Sequence, residues 1–142
     1  MLSDEDWQIL EHTKIILVPF QSVTKRLKGH TKNSDHGSVW EALPAVEALI
    51  EHLDKMKKIY TQEEYPQLTT SINLAWLKLD DYYKKLDDSP AYAAALLLHP
   101  RYRLKHFNNK WKGSLKKYLA LIKKAVRAIY DTEYKPEASD KA

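Results

Sequence analysis

Apolar residues recur every three to four positions along almost the whole chain, and no segment alternates apolar with polar residues as a half-buried strand does. Such spacing gives a helix one buried stripe and gives a sheet nothing to bury. The turn residues agree. Only 3 glycines and 6 prolines stand among 142 residues, too few for the tight turns of a sandwich or barrel. No two glycines lie close enough together to form a phosphate-binding loop, so a nucleotide-binding α/β domain is also excluded. With 44% hydrophobic and 30% charged residues, the chain has the composition of one globular domain. The expectation is an all-α fold, a single compact domain of about five to seven helices over residues 1–134, followed by a frayed tail over 135–142.

The helices can be placed in order. Ser3 can cap the first, with Asp6 completing a capping box. Its apolar stripe reads Trp7, Leu10, Leu17, Phe20, Val23 or Thr24, and Leu27, interrupted by Lys14. Pro19 falls inside and should kink or split this helix; Gly29 ends it, and 30–37 read as a polar loop. A second helix should span about 38–60 on Val39, Leu43, Val46, Ile50, Leu53, Met56 and Ile59, with Pro44 marking a false start or another kink. After Tyr65-Pro66, a third carries Leu68, Ile72, Trp76, Leu79, Tyr83 and Leu86. Ser89-Pro90 is a strong start signal for a short helix over 90–98, apolar enough to be buried on all sides. His99-Pro100 restarts the chain into a short helix ending near Phe107 or Trp111. Gly113-Ser114 opens the last, which runs to about Tyr130.

The absence of cysteine excludes disulfides, a catalytic thiol and thiolate-bound zinc or iron–sulfur clusters, and it fits a reducing compartment. The start of the chain is acidic where a secretory leader would be basic. The longest apolar run, 91–98, is eight residues, far short of a membrane span. An intracellular chain with no membrane partner is expected.

Little in the sequence resembles a catalytic site. Asp80-Asp81 and Asp87-Asp88 lie seven residues apart and could share a helix face around a divalent ion. Asp80–Lys84 and Asp81–Lys85 are better read as i,i+4 ion pairs. The 6 histidines are scattered without a ligand spacing, and no nucleophile motif is present. No metal or cofactor is expected. The four tryptophans fall about once per helix and read mostly as core, Trp40 and Trp111 being the better candidates for partial exposure.

Charge is the feature that stands out. Residues 1–98 carry 11 basic and 15 acidic side chains, whereas 99–142 carry 12 basic and 4 acidic. Between His99 and Tyr130 stand ten cations and no acid: Arg101, Arg103, Lys105, Lys110, Lys112, Lys116, Lys117, Lys123, Lys124 and Arg127. On a helical wheel Lys116, Lys123 and Arg127 fall together, with Lys117 and Lys124 roughly 80–100° away. Leu115, Tyr118, Leu119, Ile122, Val126 and Ile129 take the other side. One face packs while the other presents cations, to a phosphate backbone, to solvent or to the acidic front half. Trp111, beside this tract, is the candidate for stacking on an unpaired base.

Several segments together are similar to hAT-superfamily transposases. They are Ser3-Asp4-Glu5-Asp6-Trp7, then Leu17-Val18-Pro19-Phe20 with Thr24-Lys25-Arg26-Leu27-Lys28-Gly29, then Leu43-Pro44 with Leu49 and His52-Leu53. The most specific stretch is Lys78-Leu79-Asp80-Asp81-Tyr82-Tyr83, Ser89-Pro90-Ala91-Tyr92-Ala93-Ala94-Ala95, Leu98-His99-Pro100, Phe107 and Trp111, which resembles a signature of the fungal branch. Tyr130 stands where that family more commonly has Trp.

The resemblance, which covers about residues 3–135, implies part or all of the all-helical domain inserted into that family's ribonuclease-H-like core. Two of the core's three acidic metal ligands would then lie before this segment and the third after it. No catalytic residue is transferred here, and the segment is not expected to be an enzyme. What the resemblance implies is sequence-independent DNA contact, a contribution to assembly with the remaining transposase domains, and a nuclear location. The rival reading is a protein–protein interaction module derived from a transposase fragment, without DNA binding. Exposure of the apolar helix over 90–98 would favour that rival.

Overall fold

A computed structural model describes residues 2–28, 39–110 and 114–135, and these are all helical or in helix connections. In chain order the elements are α1 (Asp4–Leu27), α2 (Val39–Ile59), α3 (Pro66–Asp87), α4 (Pro90–Leu98), α5 (Arg103–Lys110) and α6 (Ser114–Ile129), followed by a π-helical turn at Tyr130–Tyr134. The all-α expectation of five to seven helices holds. Residues 136–142, expected to be a tail, lie outside the described residues, as does the loop expected over 30–37.

Local chemistry accounts for the boundaries. Ser3 and Asp6 form the capping box, the Asp6 carboxylate accepting from the Ser3 backbone N–H at 2.9 Å. That contact holds the Asp6 carboxyl below its ordinary range. Pro19 does not split α1, which runs through it as one helix, and Pro44 is no false start, since α2 begins before it and runs through it. Pro19 brings no N–H to the helix; close by, the Ile16 carbonyl accepts from His52 Nε2 at 3.1 Å and ties α1 to α2. Pro66 and Pro90 occupy the first turns of α3 and α4, with Ser89 Oγ accepting from Ala91 N–H. His99 caps α4, and its Nδ1 accepts from the Arg101 N–H at 3.3 Å.

The core is two clusters strung along α2. One gathers Leu43, Ala93, Leu96, Phe107, Leu119 and Ile122 from α2, α4, α5 and α6. The other gathers Ile16, Leu53, Met56, Tyr60, Leu68 and Ile72 from α1, α2 and α3. The α3 stripe read from sequence lies on the core side throughout, with Leu68 and Ile72 buried and Trp76, Leu79, Tyr83 and Leu86 packed against the clusters.

Two expectations need correction. Helix α4 is not buried on all sides: Ala93 and Leu96 are enclosed, but Leu98 at its end is 67% exposed. The stripe read on α1 holds only in part. Of its members Phe20 faces the core, together with Ile9 and Ile16, while Trp7 is 61% exposed and Leu10, Leu17 and Leu27 are also exposed. Helix α1 carries two apolar faces, and burying Ile9, Ile16 and Phe20 turns the Trp7 face to water.

Candidate nucleic-acid interface

Helix α6 is divided as its sequence predicts. Leu119 and Ile122 are buried against α4 and α5, and Tyr118 and Val126 pack beside them. Lys117, Lys123, Lys124 and Arg127 are exposed on the other side. Ile129, expected on the packed side, is 47% exposed. Arg101 and Lys105 are exposed on and before α5. The side chains of Arg103, Lys110 and Lys116, and all of Trp111 and Lys112, lie outside the described residues.

Two shallow depressions bring cations beside ring and aliphatic surface. Arg101, Tyr102, Lys105, His106 and Asn109 line the first. Behind it, Trp40 packs on His99 and Tyr102 with centroids 4.1 and 5.0 Å away, so Trp40 is a half-buried support for this wall. The second is lined by Leu97, Leu98, Lys123, Val126, Arg127 and Tyr130. The Arg127 guanidinium sits 6.0 Å from the Tyr130 ring centroid, and its Nε is 3.4 Å from Asp131, the first acid after the basic tract. Tyr130 and Leu98 were missed as site residues. Their signal was present: Tyr130 follows Lys123 by seven and Arg127 by three, which places all three along one flank of a helix.

Among the described residues, none of the basic tract's Lys or Arg side chains forms an ion pair with an acid of residues 1–98. The link between the halves is made by histidine. His106 Nε2 donates to Glu47 Oε2 at 2.8 Å, and the Tyr83 hydroxyl donates to Glu47 Oε1 at 3.3 Å, clasping α5 to α2 and α3.

Of the acidic pairs, Asp80 forms the expected i,i+4 bridge. Asp80 binds Lys84 at 2.6 Å, which holds the Lys84 ammonium above its ordinary range. Lys78 and Lys85 flank the Tyr82 ring at 5.4 and 5.6 Å. Among the described residues, no three His, Asp or Glu side chains gather as a metal site. No described helix is long and apolar enough to cross a membrane. Some of the residues that carry the family resemblance are caps and core, since Ser89 and His99 end-cap α4, Ala93 and Phe107 are buried, and Tyr83 holds Glu47, whereas Trp7, Leu17, Tyr82 and Leu98 are exposed. No protein-family model matches the chain, and no match was found among curated proteins or solved structures.

Proposed function

We propose that this domain is a non-catalytic helical part of an hAT-type transposase, or a domesticated derivative of one, that holds DNA by its phosphate backbone without reading sequence. The observation that carries the reading is the exposed side of α6, where Lys117, Lys123, Lys124 and Arg127 stand opposite the packed side. Clustered cations on a rigid helix suit a repeating phosphate array, which needs charge and spacing but no base-edge geometry. Tyr130 beside Arg127 adds a ring on which an unpaired base can stack. The motif resemblance supplies the transposase context, and with it the nuclear location and the remaining transposase domains as partners.

The test is fluorescence anisotropy with duplex and hairpin DNA across a salt series. Affinity should fall steeply with salt, with a log–log slope of about 0.9 per phosphate contact. Reversing Lys123, Lys124 and Arg127 to Glu should flatten that slope by roughly two to three units and remove most of the affinity. All three are exposed, so circular dichroism should be unchanged. Undiminished binding by the triple variant, or no binding by the parent at low salt, overturns the reading.

A further inference from the structure

We propose that the cavity between the first half of α1 and the start of α3 takes an alkylguanidinium ligand, the chemistry of an arginine side chain. Helix α1 forms one wall, the connection from α2 to α3 a second, and the first turn of α3 the third. The cavity measures about 210 Å³, below the roughly 300–1,000 Å³ of a site for a drug-sized molecule. That space suits one side chain and not a nucleotide or an organic cofactor.

Charge sets the sign of the ligand. Glu5 lines the cavity on α1 and Glu64 lines it on the connection, and no lysine or arginine is among the lining residues. Neither carboxylate has an ion pair or a hydrogen bond among the described residues. A cation placed between them gains from both walls at once.

Shape selects a guanidinium over an ammonium. Ile9 and Leu68, which also pack into the core, give apolar surface for an aliphatic stem. His12 and Tyr65 present flat rings, with centroids 5.2 Å apart and planes inclined at 71°, against which a planar cation can stack. Both rings are held from behind by buried Tyr60, whose ring lies 5.4 Å from that of Tyr65 and whose hydroxyl lies 3.1 Å from His12 Nδ1. Gln8 and Gln67 also line the cavity. With the two carboxylates they offer more acceptors than the three hydrogens of an ammonium can use, and enough for the five of a guanidinium. The site shares no residue with the α6 surface, so it goes beyond DNA contact and does not rest on it.

Amide NMR spectra of the isotope-labelled chain, titrated with N-acetyl-arginine methylamide, test it. Saturable shifts are expected at Ile9, His12, Tyr65 and Leu68, at the millimolar affinity of a single side chain. The citrulline analogue, which keeps the shape without the charge, should not bind, and the lysine analogue should bind several-fold more weakly. Glu5→Gln and Glu64→Gln should each raise the dissociation constant by roughly three- to tenfold. Both positions are exposed, so signals elsewhere in the spectrum should not move. Tighter binding of the blocked arginine than of agmatine assigns the site to an arginine within a peptide, and the reverse order assigns it to a free guanidinium compound. Shifts that never saturate or that scatter over other acidic surface, equal binding of the citrulline or lysine analogue, or binding indifferent to the double Glu5→Gln, Glu64→Gln variant, each overturns the proposal, whatever the anisotropy titrations with DNA give.

Discussion

The two clusters along α2 meet water differently. At the α4 end, four helices surround Phe107 and Leu96, both fully buried, and the polar clasp of His106, Glu47 and Tyr83 closes the seam between α5, α2 and α3. At the α1 end, a 24-residue helix contributes one buried side chain, Ile16, which keeps 8% of its surface exposed, and leaves its other apolar face exposed. A helix held on many sides is a scaffold for a surface, as α6 is for its cations. A helix held along one narrow stripe keeps a second face for something else.

That contrast can be broken by core truncation. Phe107→Ala empties a site with no exposure and should cost about 3–5 kcal/mol in urea unfolding, the usual range for a buried aromatic. Ile16→Ala should cost about 2–3 kcal/mol, because a residue at the edge of its cluster leaves a cavity that α1 can partly close by settling. Hydrogen exchange sharpens the same point: α1 amides should exchange before those of α2. Equal costs at the two sites, with α1 as protected as α2, would mean that the clusters are one evenly held core.

Most of the architecture was legible in the sequence because local signals agreed with the global pattern. Ser3 with Asp6, Ser89 with Pro90, and the α3 stripe from Leu68 to Leu86 each satisfy backbone or core demands within a few residues. The cation-bearing side of α6 was legible for the same reason. The orientation of α1 was not, since a helix with two apolar stripes satisfies the periodicity either way and only packing against Leu53 and Tyr60 decides. Glu47 and His106 are 59 positions apart, a distance at which nothing local announces a pair. Tyr130 was passed over because it read as the end of a helix and not as the neighbour of Arg127.

The polar clasp offers a smaller effect confined to the α4 end. Glu47 and His106 are each only 12% and 11% exposed, so their hydrogen bond is shielded from competing water. Glu47→Gln keeps the shape and removes the charge; it should cost about 1–2 kcal/mol. A double-mutant cycle with His106→Asn should return a coupling of roughly 1 kcal/mol. A coupling near zero would mean that α5 is seated by Phe107 alone, and that the clasp adds no hold on the Arg101 and Lys105 surface.

The mildest test separates the ends by pH. Tyr60 is buried where α1, α2 and α3 meet, its hydroxyl 3.1 Å from His12 Nδ1, with the Tyr65 ring alongside. Burial first, and Tyr65 second, push its ionisation above the ordinary value of about 10. The folded state therefore binds the proton more tightly than the unfolded chain. The resulting stability is fully present below the unfolded value and is lost as pH rises through the folded one. Exposed Lys84, raised by Asp80, titrates in the same direction, so the parent's alkaline decline alone cannot be assigned. Tyr60→Phe resolves it: the variant should be less stable than the parent at neutral pH, and the gap should close as pH climbs past the tyrosine range. A gap that stays constant would place the alkaline loss on Lys84 and leave the α1 end insensitive to pH.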